Sequence, residues 1–214
     1  MRILAVIIFL SWAGITNVLA QYSIGIYTGL NNVSISGDKP NNSKYNGKSG
    51  GLFGLSIDFK LTDDVLLSFQ PGFSNTNASL AFLDDNTNTY KDSIDIEFQT
   101  IILPIIFNVI SDNKKWYFSS GLEFGLISSS TASIVDTGEA IDLESQTSDY
   151  SLSINFGVNY LLSLGKPFLT IGVRYNQGLV NLTNSEDSGS YVPRIKSSGI
   201  QFLLGFQYPP NKGE

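Results

Sequence analysis

The 214 residues contain no Cys and no His, so any chemistry rests on oxygen atoms and a few cations. Without Cys there is no thiol nucleophile, disulfide, thiolate metal site or lipoprotein anchor. Without His the commonest general base and metal ligand at neutral pH is missing. Ser, Asp and Glu are plentiful, but a hydrolytic triad lacks its base, and no two carboxylates stand at a spacing that makes an acid–base couple. Both absences argue against an enzyme, and nothing in the chain calls for a cofactor. Asp84, Asp85 and Asp92, and Asp136, Glu139, Asp142 and Glu144, offer the oxygen ligands Ca²⁺ prefers, yet no stretch carries the full ligand spacing. Solvated acidic segments account for them. Thirteen basic against nineteen acidic residues give a net charge of −6, and the cations are scattered, so the phosphate-neutralising patch of a nucleic-acid binder is absent. The charges left to explain, Asp58, Lys60, Asp95, Glu97, Glu123 and Arg174, fall inside extended segments that must position them.

The clearest such segment is the hairpin 149–182. Tyr150, Leu152, Ile154, Phe156, Val158, Tyr160 and Leu162 alternate with Ser151, Ser153, Asn155, Gly157 and Asn159, a period of two held for thirteen residues. After the short turn 163–167, Leu169, Ile171, Val173 and Tyr175 oppose Thr170, Gly172, Arg174 and Asn176, completing an antiparallel hairpin. Strands of soluble sandwiches usually run about 5–6 residues, whereas a tilted strand crossing a bilayer needs about 9–11. The length points to a membrane. The small polar face suits the inside of a narrow barrel and the large apolar face suits lipid.

The rest of the chain repeats this unit. Further strands are expected over 22–30, 50–61 and 65–74, from 94 through the run IILPII, over 116–126, and over 200–208, with a bulge or edge irregularity near Pro104. Short turns fall at 62–64, 111–115 and 163–167; long polar connections fall at 31–49, 75–92, 128–148 and 183–196. The expected fold is therefore all-β: an eight-stranded antiparallel up-and-down transmembrane β-barrel with four long extracellular loops and three short periplasmic turns. Tyr22, Phe59, Trp116, Phe168 and Tyr208 sit at the short-turn end, and Phe73 and Tyr150 at the other, as interfacial girdles do. Residues 1–20 have a basic start at Arg2, an apolar run and small residues before Gln21; they read as a signal peptide cleaved between Ala20 and Gln21, leaving 21–214 as the barrel domain. The competing class is a soluble secreted or periplasmic barrel holding a small hydrophobic ligand, which would turn its oily faces inward.

Alternation then assigns the charges. Asp58, Asp95, Glu97, Glu123 and Arg174 are expected to face the lumen, Glu123 and Arg174 at similar heights so that they meet, with Lys60 near the periplasmic rim. Eight strands enclose an interior just wide enough for side chains, which argues against passage of sizeable solutes.

RYNQGLVNL at 174–182, SFQPGFS at 68–74, the Leu-Pro-Ile-Ile run at 103–106, WYFSSGLEFG at 116–125 and the closing IQFLLGFQY occur in an order that resembles the PorT-like outer-membrane β-barrel proteins of Gram-negative bacteria. The resemblance spans nearly the whole chain after residue 20. It departs at Gly72, where family members often carry Glu, and in the tail that continues past Tyr208. It implies an eight-stranded barrel in contact with outer-membrane lipid, with envelope or secretion-system proteins as partners. The expected role is a non-enzymatic barrel presenting loops for such partners or for surface adhesion.

Overall fold

The structure, a computed structural model, describes residues 22–84, 87–184 and 194–208. The proposed cleavage site at Ala20 and Gln21, Asp85 and the tail beyond Tyr208 lie outside the described residues. The strands are β1 (Tyr22–Gly37), β2 (Ser43–Lys60), β3 (Val65–Phe69), β4 (Gly72–Asp84), β5 (Thr89–Ile110), β6 (Trp116–Ile134), β7 (Ala140–Asp142), β8 (Tyr150–Ser163), β9 (Phe168–Gly178) and β10 (Ile195–Tyr208). β3 and β4 succeed each other at one position, each pairing with β2 and β5. The remaining antiparallel pairs run β5–β6–β8–β9–β10–β1–β2, so eight positions close into a ring, as the alternation predicts. β7 pairs with the upper part of β6 on the side that β8 takes lower down, since β5 holds the other side of β6 as far as Ile134.

Closure leaves no sheet edge within the wall, and lipid can then solvate the outside. The outward residues are Ile24, Ile26 and Leu30 on β1, Phe53 and Leu55 on β2, Ile101, Ile105 and Phe107 on β5, and their counterparts around the ring, all strongly exposed. The inward residues between them are mainly Gly, Ser, Asn and charged groups, joined by Tyr27, Leu52, Ile102, Ile106 and Leu203. From Tyr22 to Leu30 the outward face of β1 spans nine residues. At about 3.3 Å per residue and a tilt of ~40° this gives a band about 23 Å tall, close to the ~25 Å apolar belt of outer-membrane barrels. Trp116 meets Tyr160 edge-on at 4.8 Å at the short-turn end, and Phe53 stacks on Phe73 at 6.1 Å at the other.

Between β3 and β4, at Gln70 and Pro71, the strand is interrupted. Pro104 lies beside this gap, and its carbonyl accepts the Gln70 N–H at 3.0 Å. A strand residue's N–H and C=O point the same way, so the donor Pro104 lacks would have faced the gap, where its loss breaks no ladder. The irregularity expected at Pro104 therefore belongs to its neighbour. β5 keeps register with β6 through Pro104 opposite Glu123, and the register shifts fall at Gln99/Thr100, Leu80/Ala81 and Lys48/Leu52.

Tyr27, Gly54 and Gly72 are consecutive cross-strand neighbours, all inward. The Tyr27 side chain lies across both glycines and its hydroxyl donates to the Gln70 carbonyl at 2.9 Å. A Cβ on Gly72 would stand 2.5 Å from the Phe53 carbonyl oxygen and 2.6 Å from that hydroxyl, and one on Gly54 would meet the Pro71 carbonyl oxygen and stand 2.7 Å from the hydroxyl. Gly72→Ala should therefore destabilise the barrel by about 1–3 kcal/mol through overpacking. The hydroxyl is one of two close atoms and the Phe53 carbonyl is the other, so a Tyr27→Phe background should recover only part of the loss when both are measured by urea unfolding in lipid.

Two expectations are corrected. The segments 31–49 and 75–92 are not long loops: β1, β2, β4 and β5 continue through most of them as paired strand, leaving 38–42 between β1 and β2. In 128–148 the β6 strand runs on to Ile134, and the connection to β8 then carries β7 and a 3-10 turn at Glu144–Gln146. Of the fourth segment, 183–196, residues 185–193 lie outside the described residues; just before it Leu182 donates to Ile195 and accepts from Ser148. The result is a walled extension standing on the belt. Within it the sidedness of β5 is the reverse of that expected: Phe98 is buried inside, while Asp95 and Glu97 lie on the outer face. The reason is solvent. Above the belt the outside is wet and the closed interior is dry, so apolar residues turn inward and carboxylates outward.

Candidate functional site: the lumen network and the extracellular extension

Three of the candidate charges line the lumen. Glu123 on β6 is buried at the centre of a shell from β8 and β9: Asn176 donates to it at 2.9 Å, Ser153 at 3.4 Å and Asn155 at 3.5 Å. Asn176 also reaches Ser153 and Asn155 at 3.0 Å each, which locks the four side chains together. Arg174 is buried on β9, and its Nη2 donates to the Gln70 side chain at 2.7 Å across the barrel. Asp58 sits lower on β2, accepting from Ser56 at 2.8 Å, Gln207 at 2.7 Å and Ser23 at 3.3 Å.

Glu123 and Arg174 act on each other electrostatically. They do not form the expected contact, for no ion pair within 4.0 Å joins them. Glu123 is instead held by neutral amides and a hydroxyl, and Arg174 by the Gln70 amide oxygen, its buried Nε having no hydrogen-bond partner among the described residues. Glu97 is withdrawn from the lumen cluster: it accepts from Asn75 at 2.9 Å and Gln99 at 3.3 Å on the outer face. Beside it Lys48 bonds Asp95 at 2.5 Å. Lys60 bonds Asp63 at 2.6 Å at the exposed 62–64 turn, and this hydrogen bond and charge hold the Asp63 carboxyl below its ordinary range. Lys114 in the next turn, 111–115, donates to Asp64, and this bond raises the Lys114 pKa. Sequence reasoning missed Gln70 and Tyr27 as members of the network. Their inward phase was readable, but only the break at Pro71 brings the Gln70 carbonyl to Tyr27 and its amide to Arg174.

The lumen is filled rather than open. It holds one cavity of about 50 Å³, bordered by Glu123, Asn176, Gln201, Phe98 and Leu182, and a lower one of about 40 Å³, bordered by Arg174, Gln70, Tyr27, Tyr117 and Asp58. Each has room for a few waters and for no larger solute. Above them Ile35, Ala78, Phe98, Leu182 and Ile195 pack together, with Tyr45, Ile96 and Ile127 against them, as an apolar plug inside the extension. Among the described residues the plug takes up the upper interior, where a soluble barrel would hold a hydrophobic ligand. Among the described residues no three carboxylates stand close enough together to hold a metal ion.

A family model described as an outer membrane protein beta-barrel domain matches residues 19–209. No curated protein sequence matches the chain. Among solved structures, neisserial surface protein A is 14% identical, with 88% of this chain and 96% of that one covered at a TM-score of 0.43. Ail, the attachment invasion locus protein of Yersinia pestis, crystallised with the heparin analogue sucrose octasulfate, is 14% identical, with 88% and 99% covered at 0.44. The outer membrane protein OprG from Pseudomonas aeruginosa is 12% identical, with 89% and 95% covered at 0.45.

Proposed function

From the premise that this chain belongs to the outer-membrane protein β-barrel domain family and resides in the outer membrane, we propose that it is a non-enzymatic, PorT-like display barrel. Its extracellular end engages envelope or secretion-system proteins or an adhesive surface, and a cleaved signal peptide exports it. The observation that carries this reading is the division of labour along the barrel axis. The lumen is packed and plugged, which speaks against transport. The strands continue well past the belt and hold their tips on a rigid wall, which suits recognition. The lumen network then serves to stiffen the support.

Two measurements test the reading. Folded protein should migrate differently from boiled protein in electrophoresis and fractionate with the outer membrane, with its N-terminus at Gln21. A tag inserted at Thr137 should react with an impermeant label on intact cells, and one at Asn113 should react only after the outer membrane is permeabilised. Labelling of Asn113 alone on intact cells would invert the barrel and remove the proposal.

A further inference from the structure

The proposed function leaves the chemistry of the partner open, and the edge of β7 narrows it. Resting on the reading of the extracellular end as the interacting part, we propose that β7 is a strand-addition site for an extended cationic polypeptide segment. β7 pairs with β6 in the register Asp142–Thr131, Ile141–Ala132 and Ala140–Ser133. On either side of it the Ile134 N–H donates to the Glu139 carbonyl and the Leu143 N–H to the Ser130 carbonyl, both at 2.9 Å. Backbone groups alternate direction along a strand, so residues 139, 141 and 143 face β6, while the N–H and C=O groups of Ala140 and Asp142 face away from it. Among the described residues no strand pairs with that side of β7; residues 182–184 pair with 146–148 just below it, through the Thr147–Thr183 bridge and the Asn184 N–H to the Gln146 carbonyl, and residues 185–193 lie outside the described residues. All three residues of β7 are exposed, Ile141 at 48%.

An edge unpaired among the described residues offers extended peptides main-chain hydrogen bonds, and side chains select among them. Here the selection is electrostatic. Residues 128–149 hold five carboxylates, Asp136, Glu139, Asp142, Glu144 and Asp149, and no Lys or Arg. Asp136 is paired with Lys91 at 3.0 Å; Glu139, Asp142 and Glu144 have no ion pair among the described residues. Asp142 Oδ1 accepts the Glu144 N–H at 2.8 Å and keeps its charge and second oxygen for a cation. Directly paired residues share a face, so Ile141 lies on the side of Ala132, and Asp142 and Ala140 on the other. A strand docked on β7 therefore meets Ile141 with one side chain and Asp142 with the next. The matching segment alternates apolar and basic residues.

The test uses the full-length protein in lipid nanodiscs and a fluorescent heptapeptide of alternating lysine and valine, read by anisotropy. The same peptide methylated on every backbone nitrogen keeps its charge and loses its strand donors. In the protein, Ala140→Pro removes an N–H that faces the free edge, so the β6 ladder and all charges stay. Saturable binding is expected, weakened at least tenfold both by peptide methylation and by Ala140→Pro, and weakened by added salt. Equal binding of the methylated peptide, or no saturable binding, overturns the proposal. Should Ala140→Pro lose the folded electrophoretic form, the two peptides on the unaltered protein decide the matter alone. Surface labelling at Thr137 together with equal binding of the two peptides would remove strand addition and leave the display reading in place. Labelling only from the periplasmic side would remove that reading itself.

Discussion

Arg174→Ala should lower the stability of the folded barrel by about 3–5 kcal/mol, the usual cost of removing one member of a buried charged set. Arg174 is buried, and it is the cation whose field acts on Glu123. Removing it leaves the Glu123 carboxylate in a low-dielectric interior, with only the neutral donors Ser153, Asn155 and Asn176 around it. It also strands the Gln70 side-chain oxygen, which accepts from Arg174. Glu123→Gln in the Arg174→Ala background should recover part of the loss, because a neutral amide needs no countercharge. The two changes should therefore be non-additive by at least ~0.5 kcal/mol in a double-mutant cycle measured by urea unfolding in lipid vesicles. Strict additivity would mean that the two residues are held independently by their amide shells. Gln70→Ala should cost only about 1 kcal/mol, the net worth of a typical hydrogen bond.

Phe98→Ala should cost about 3–5 kcal/mol, whereas Glu97→Ala should stay within about 0.5 kcal/mol. Phe98 is 4% exposed and packs in the plug with Ile35, Ala78, Leu182 and Ile195, so truncation leaves a cavity in a closed space. Glu97 bonds two amides on the wet outer face, where water replaces what is lost. If these two neighbours lay with Phe98 in lipid and Glu97 in the lumen, the ranking would reverse: an exposed phenyl would be cheap to remove, and a buried carboxylate would be costly to strip from its shell. Unfolding of the two variants under the same lipid conditions separates the arrangements directly.

The reversal on β5 has a signature in the residues. Ile94, Ile96 and Phe98 occupy even positions, while Ile101, Leu103, Ile105, Phe107 and Val109 occupy odd ones, and the strand between them is continuous. β1 changes phase in the same way, from outward Ile24, Ile26 and Leu30 to inward Val33 and Ile35. A period-two pattern that slips phase without a turn marks a change of surroundings. On β5 it falls where the outward residue passes from Ile101 to Gln99, at the top of the apolar belt.

The amino-acid sequence by itself determined the antiparallel strands, their number around the ring, the ends at which short turns and girdles lie, and the inward facing of Asp58, Glu123 and Arg174. All of these follow from local alternation against one repeating environment, lipid outside and a crowded lumen inside. Only the tertiary structure decided that the polar connections become a walled extension, that the dry and wet sides exchange above the belt, and that Arg174 crosses the barrel to Gln70. Those outcomes depend on closure. A strand becomes dry on its inner side only when the far wall covers it, and a donor finds an acceptor more than a hundred residues away only when shear and the break at Pro71 set both at one height. Neither distance is written in the spacing of residues along the chain.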